Sequence, residues 1–157
     1  MVENDLIARL KEVLKDKNYR DIPLDVVVEH VREAIKGRTI KAFHVNKHIP
    51  NGYEDQGAFN LLIVTAGHHL FDCVVGEEYF RYDAVALQAL DKFQVIDGQW
   101  ENKETNKTEK FLSLRLSHGD ESHVALALDD AERPSLKAFA DTILSIRNPE
   151  NYPSGKS

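Results

Sequence analysis

Apolar residues recur at helical spacing in two stretches at the start of the chain. The first stripe consists of Leu6, Ile7, Leu10, Val13 and Leu14, and the second of Leu24, Val27, Val28, Val31, Ala34 and Ile35. This spacing predicts two amphipathic helices. We expect Asn4 to cap the first helix and Asp21 the second. Pro23 suits the first turn of the second helix, and Gly37 suits the position just beyond its end. The two stripes together predict a helical hairpin.

From Thr39 the pattern changes to short runs rich in β-branched and aromatic residues, which are typical of strands. The predicted strands are Thr39–Lys47, Phe59–Ala66, His69–Val75, Tyr79–Tyr82, Leu87–Asp97, Phe111–His118 and a return strand through Val124, Leu126 and Leu128. The fifth run loses its alternation near Leu90, which predicts a bulge or bend there. The polar segments 48–58 and 98–108 are predicted to be loops.

A last amphipathic pattern closes the folded part of the chain. Pro134 suits a first-turn position, and an apolar stripe follows at Leu136, Phe139, Ala140, Ile143 and Leu144. These features predict a C-terminal helix that ends before Pro149. We therefore divide the sequence into a helical extension (1–37), a β domain with its closing helix (38–148) and a polar, flexible tail (149–157).

Four strands, then three strands, then one amphipathic helix is the order of a pleckstrin-homology (PH) fold. The segments LLIVTAGHHLF, EYFRYDAV and ALQAL resemble the middle of a bacterial PH-like domain, and the related GRAM-type domain fits about equally well. The resemblance covers about residues 39–148. It implies an α+β fold with a seven-stranded antiparallel β-barrel or orthogonal sandwich, capped by the C-terminal helix. The N-terminal helical hairpin lies outside it.

Composition limits the classes of function. The 157 residues carry a formal charge of −6, which argues against nonspecific binding to nucleic acid and against general attraction to anionic membranes. Cys73 is the single cysteine, so an internal disulfide framework is excluded and a reducing, cytoplasmic location is expected. The first residues mix charged with apolar positions, and we expect neither a signal peptide nor a membrane-spanning helix there.

The PH resemblance also implies a candidate ligand site. Many PH domains bind inositol phosphates through basic residues around their first hairpin. The matching residues here are Lys41, His44, Lys47 and His48. The loop of this hairpin carries Glu54 and Asp55 and lacks arginine, so we rank a lipid headgroup or another small anionic ligand as an alternative function.

A second alternative is a small metal-binding protein or an enzyme that uses His118 and His123, which flank a short turn with two carboxylates. Cys73 lies within an apolar strand, and we expect it to be buried and inert. The sequence contains neither a P-loop nor a nucleophile elbow, and we assign no catalytic residue, metal or cofactor.

Two aromatic residues fall within predicted polar loops, Tyr53 in the first and Trp100 in the second. Exposed aromatic residues of this kind often contact protein partners. The helical hairpin offers another surface, since it can pack on its own chain or on a neighbouring copy. We therefore interpret the chain as a non-enzymatic protein-interaction module that includes self-association among its candidate roles.

Overall fold

Three α-helices and seven strands form the fold in the computed structural model, which describes residues 2–16, 19, 21–46, 59–128 and 130–147. Within this part of the chain the strands form one four-stranded and one three-stranded antiparallel sheet. The predicted α+β class is confirmed. A single closed barrel is wrong, because the strands pair within two separate sheets.

The chain divides into two units, residues 1–85 and residues 86–157. The N-terminal helices belong to the same unit as the four-stranded sheet. The domain boundary between residues 37 and 38 stays a prediction. The predicted tail, 149–157, lies outside the described residues.

Two helices open the first unit, α1 (Val2–Val13) and α2 (Leu24–Ile35). Asn4 lies inside α1, so its prediction as a cap is wrong. Asp21 does not cap α2 either, because the residue before that helix is Pro23, in extended conformation and without a side-chain cap. The end of α2 follows the prediction more closely. Gly37 has a φ of +70° and donates its backbone N–H to the Arg32 carbonyl.

The first sheet has the order β1 (Ile40–Asn46), β2 (Phe59–Thr65), β3 (His69–Val75) and β4 (Phe80–Ala86). The buried stripes of α1 and α2 share one apolar core with residues of β1, β2 and β3. The core residues include Leu6, Leu10, Val27, Val31, Phe59, Leu61, Ile63 and Phe71. The helical hairpin therefore packs on the sheet of its own chain.

β2 is the central element of this unit, since all seven of its residues are buried. Its sequence, FNLLIVT, is an almost continuous apolar run, which is typical of a strand that is buried on both faces. Aromatic contacts fix the elements around it. The Tyr19 ring meets the Phe59 ring edge-on at 5.5 Å, and the His30 ring of α2 stacks on the Phe80 ring of β4 at 5.0 Å.

The second unit starts with a 3₁₀ turn (Leu87–Ala89), followed by β5 (Lys92–Asn102), β6 (Lys107–His118), β7 (Glu121–Ala127) and α3 (Arg133–Arg147). Two predictions are corrected here. The start of the fifth predicted strand is the 3₁₀ turn, and the segment predicted as a polar loop contains the end of β5 and the start of β6. Register explains the difference, because β5 pairs with β6 without interruption from Lys92 to Asn102.

The core of the second unit is built from one face of its sheet and one face of α3. Leu112, Leu114 and Leu116 alternate along β6 and are buried. α3 contacts both β6 and β7, and its stripe at Leu136, Phe139 and Ile143 is buried as predicted. The opposite face of the sheet carries Gln94, Ile96, Gly98 and Trp100 on β5, with Phe111, Ser113 and Arg115 beside them on β6.

Candidate functional site

The candidate ligand residues of the first hairpin differ in exposure. Lys41 is exposed on β1, whereas His44 is 3% exposed. Lys47 and His48 lie outside the described residues, as does Tyr53 of the adjoining segment. Among the residues that the structure describes, Lys41 therefore remains the one exposed cation of the proposed set. Binding of an anionic ligand here stays a prediction.

A buried polar ladder crosses the first sheet next to this hairpin. The Asn46 side-chain amide donates to Asn60 Oδ1 at 3.2 Å, and Asn60 Nδ2 donates to an Asp72 carboxylate oxygen and, at 2.9 Å, to the Cys73 carbonyl oxygen. These bonds satisfy the buried amide of Asn60 and link β1, β2 and β3. A one-residue slip of β2 would break all three, so the ladder fixes the strand register.

The two histidines proposed for metal or catalytic chemistry have different surroundings. His118 is exposed, and its Nδ1 lies 2.8 Å from the Ala89 carbonyl oxygen, which ties the β6–β7 turn to the 3₁₀ turn. His123 is buried in β7 opposite Leu116. Asp91 reinforces the same junction by accepting a hydrogen bond from the Gly119 N–H. In the described part of the chain, no group of three or more His, Cys, Asp or Glu side chains is arranged to hold a metal ion.

Cys73 is buried in β3, as predicted. Burial raises the pKa of its thiol far above the usual range, with Asp72 and Asp83 adding to the effect. Since the thiolate is the nucleophilic form, Cys73 is unreactive at neutral pH. An apolar cleft between α1 and α2 also lacks the room for a metabolite. Its free space of about 10 Å³ is close to that of a single water molecule.

The candidate interaction surface with the most exposed large apolar side chains is β5, an edge strand of the second sheet. Three of its large apolar side chains are exposed: Val95 at 47%, Ile96 at 46% and Trp100 at 40%. Ile96 and Trp100 are four residues apart, so they lie on the same face of the strand. Trp100 is thus part of a rigid strand rather than of the loop predicted from the sequence. Its role in partner contact stays a prediction.

A close cross-strand contact holds the middle of β5. The Phe111 ring of β6 lies over Gly98, so close that a Cβ added to the glycine would be 2.6 Å from the ring. Gly98 therefore lets the aromatic ring fill the space between Ile96 and Trp100 on that face. The result is an apolar stripe of Ile96, Phe111 and Trp100 across the open part of the strand.

An ion pair anchors the other face of β5 to the closing helix. Arg133, the first residue of α3, contacts both carboxylate oxygens of Asp97 at 3.0 and 3.1 Å and donates to the Phe111 carbonyl oxygen at 3.0 Å. This hydrogen bond with Arg133 lowers the pKa of the Asp97 carboxyl, and the same contact raises the pKa of the Arg133 guanidinium. Arg133 thus links β5 and β6 to the start of α3, on the side of the sheet that carries this helix.

The backbone completes the candidate site. β5 pairs with β6 on one side, and the structure describes no strand on its other side. An open edge presents N–H and C=O groups that can pair with another strand. No family model, curated protein or solved structure matches the chain. In addition, none of the helices that the structure describes has the length and apolar character needed to cross a membrane.

The β5 edge thus combines backbone hydrogen-bonding groups with exposed apolar side chains, which are the two requirements for strand addition. Sequence reasoning singled out Trp100 but missed this edge, because the surrounding residues are polar. The sequence did contain one sign of a turn between β5 and β6, which is Asn106. This residue has a φ of +57°, and its N–H donates to the Asn102 carbonyl at 2.7 Å. Asparagine at such a position is typical of hairpin turns.

Proposed function

We propose that this protein is a non-enzymatic, PH-like interaction module that associates with itself through the second sheet and acts in the cytoplasm. The order of four strands, three strands and a C-terminal helix supports the PH-like fold. The single observation that carries the interaction role is the open edge of β5 with exposed Val95, Ile96 and Trp100.

Edge strands of this length are normally protected. Proteins shield them with lysine, proline, a bulge or a covering segment, because an open apolar edge pairs with other strands. β5 extends over 11 residues, pairs with β6 in unbroken register, and carries one lysine, at its first position. A regular strand with an open edge and exposed apolar side chains is suited to binding a second strand.

Sedimentation velocity over a wide range of protein concentration tests the proposal. We expect the wild type to change from monomer to dimer at micromolar concentration. Ile96→Lys should remain monomeric, because a charge on the edge opposes strand pairing. Val26→Lys is the matched control, since Val26 is an equally exposed aliphatic residue (45%) on α2. It should associate like the wild type.

A wild type that sediments as a monomer at every concentration would contradict self-association. Equal loss of association in Ile96→Lys and Val26→Lys would show that the effect of lysine is not specific to β5. Both variants should keep the far-ultraviolet circular dichroism of the wild type, because both positions are exposed.

A further inference from the structure

We infer that β5 pairs with β5 of a second copy of the chain in antiparallel orientation. The twofold axis of this dimer lies midway between the two copies of Gly98. The inference rests on the proposed self-association and specifies its geometry. In a symmetric dimer the same surface of each copy must be complementary to itself. The side chains along β5 determine which registers of the two strands meet this requirement.

A twofold axis perpendicular to the sheet keeps each side chain on its own face. Antiparallel partners lie on the same face, so the axis must lie midway between the two copies of one residue, and each register is named below by that residue. The five central positions of the strand, 95 to 99, give five registers to compare. In each register, opposed side chains are about 4.5–5.5 Å apart at Cα.

Charge disfavours three of these registers, because like charges directly opposite each other destabilise a sheet. An axis at Asp97 places that carboxylate opposite its own copy. An axis at Gln99 places Asp97 opposite Glu101, and an axis at Ile96 brings Asp91, the residue just before β5, level with Glu101.

An axis at Val95 is disfavoured for another reason. It places the aromatic Phe93 opposite the charged Asp97, and Trp100 level with Leu90, which lies outside the strand. The exposed indole then gains no partner within the paired strands, so this register leaves part of the apolar surface uncovered.

The axis at Gly98 opposes no like charges within the paired strands and gives the exposed indole of Trp100 an apolar partner. It places Ile96 opposite Trp100 of the second copy, twice by symmetry, and aliphatic–aromatic pairs of this kind stabilise sheets. On the other face, Val95 lies opposite Glu101 and Asp97 opposite Gln99, so no like charges are opposed.

The surroundings of Gly98 and the ends of the strands fit the same axis. Each Phe111 ring covers the Gly98 of its own chain, so the two rings come together over the axis and join both Ile96–Trp100 pairs into one apolar stripe. At the ends, Lys92 becomes level with the turn that carries Glu104 of the second copy, which gives a pair of opposite charges. Apolar and charge complementarity together favour a second copy as the occupant.

Disulfide trapping tests the register directly. Val95→Cys and Glu101→Cys are prepared as separate full-length proteins, one with a tag that changes its mass, and are mixed and oxidised with diamide. In the inferred register these two positions are opposed at a Cα separation that a disulfide can span. Cysteines of the same variant would be about 20 Å apart, since six residues separate them along the strands.

We expect at least tenfold more covalent dimer from the mixture than from either variant alone. The wild type is the control, because its buried Cys73 should give none. If the wild type sediments as a dimer but the mixture gives no excess of covalent dimer, the inferred register is wrong and self-association stands. If the wild type is monomeric throughout, both the register and the proposed function are wrong, and a strand from another protein becomes the alternative occupant of β5.

Discussion

β2 and β5 both belong to antiparallel sheets, yet their environments are opposite. β2 is paired on both sides, covered by α1 and α2 on one face, and buried at every position. β5 is paired on one side and exposes most of its residues. The two strands thus illustrate the two uses of apolar residues in this protein.

The comparison shows which apolar residues the fold requires. Those of β2 lie within a core, so they account for stability. Val95, Ile96 and Trp100 are only partly buried in their own chain, since each is at least 40% exposed. Large apolar residues grouped on an open edge therefore indicate a surface for recognition.

The largest effect is expected from truncating a side chain in the β2 core. Phe59→Ala removes a fully buried ring that contacts Tyr19, and we expect a loss of about 3–5 kcal/mol in the free energy of unfolding. Ile96→Ala should change it by less than about 1 kcal/mol at dilute, monomeric concentration. Urea denaturation measures both values. Comparable losses of unfolding free energy in the two variants would contradict the view that β2 residues stabilise the core and β5 residues do not.

A smaller effect is expected from the polar ladder. Asn60→Ala leaves Asp72 and the Cys73 carbonyl without the amide donor, and we expect a loss of about 1–3 kcal/mol in the free energy of unfolding. Gln94→Ala, at a half-exposed position of β5, is the control and should change stability by less than about 0.5 kcal/mol. Urea denaturation again provides the measurement, and an unchanged Asn60→Ala stability would show that the ladder is dispensable.

The smallest effect concerns the Asp97–Arg133 ion pair. Because the folded state lowers the pKa of Asp97, the pair stabilises the fold above the ordinary aspartate pKa of about 3.9. That contribution is lost as the pH falls through the lowered value. The stability difference between wild type and Asp97→Asn should therefore shrink below about pH 4. Denaturation at several pH values tests this, and a difference that grows toward low pH would contradict the assigned direction.

The covered sheet could be predicted closely from the sequence. The run from Leu61 to Val64 within β2 is continuously apolar, and the boundaries of β3 agree with those predicted. Helix starts were less predictable. Asn4 and Asp21 are good capping residues by type, but their backbone geometry depends on how α1 and α2 dock on the sheet, which local sequence does not specify.

The open edge could not be predicted in the same way. The residues from Gly98 to Asn102 have the composition of a loop, and they form a strand because β6 supplies a partner in register. Gly98 is tolerated there because Phe111, which lies 13 positions later in the sequence, covers it. Strand formation of this kind depends on long-range pairing and on neighbours across the sheet, rather than on intrinsic propensity.

Hydrogen exchange of the backbone amides at low and high protein concentration tests the central claim most directly, because it compares β5 with β2 in one sample. If β5 pairs with a second copy, the amides at its open edge should become protected as the concentration rises. Those of β2 should keep constant protection, since they are already paired on both sides. Concentration-independent exchange throughout β5 would contradict the claim that this edge is the interaction surface.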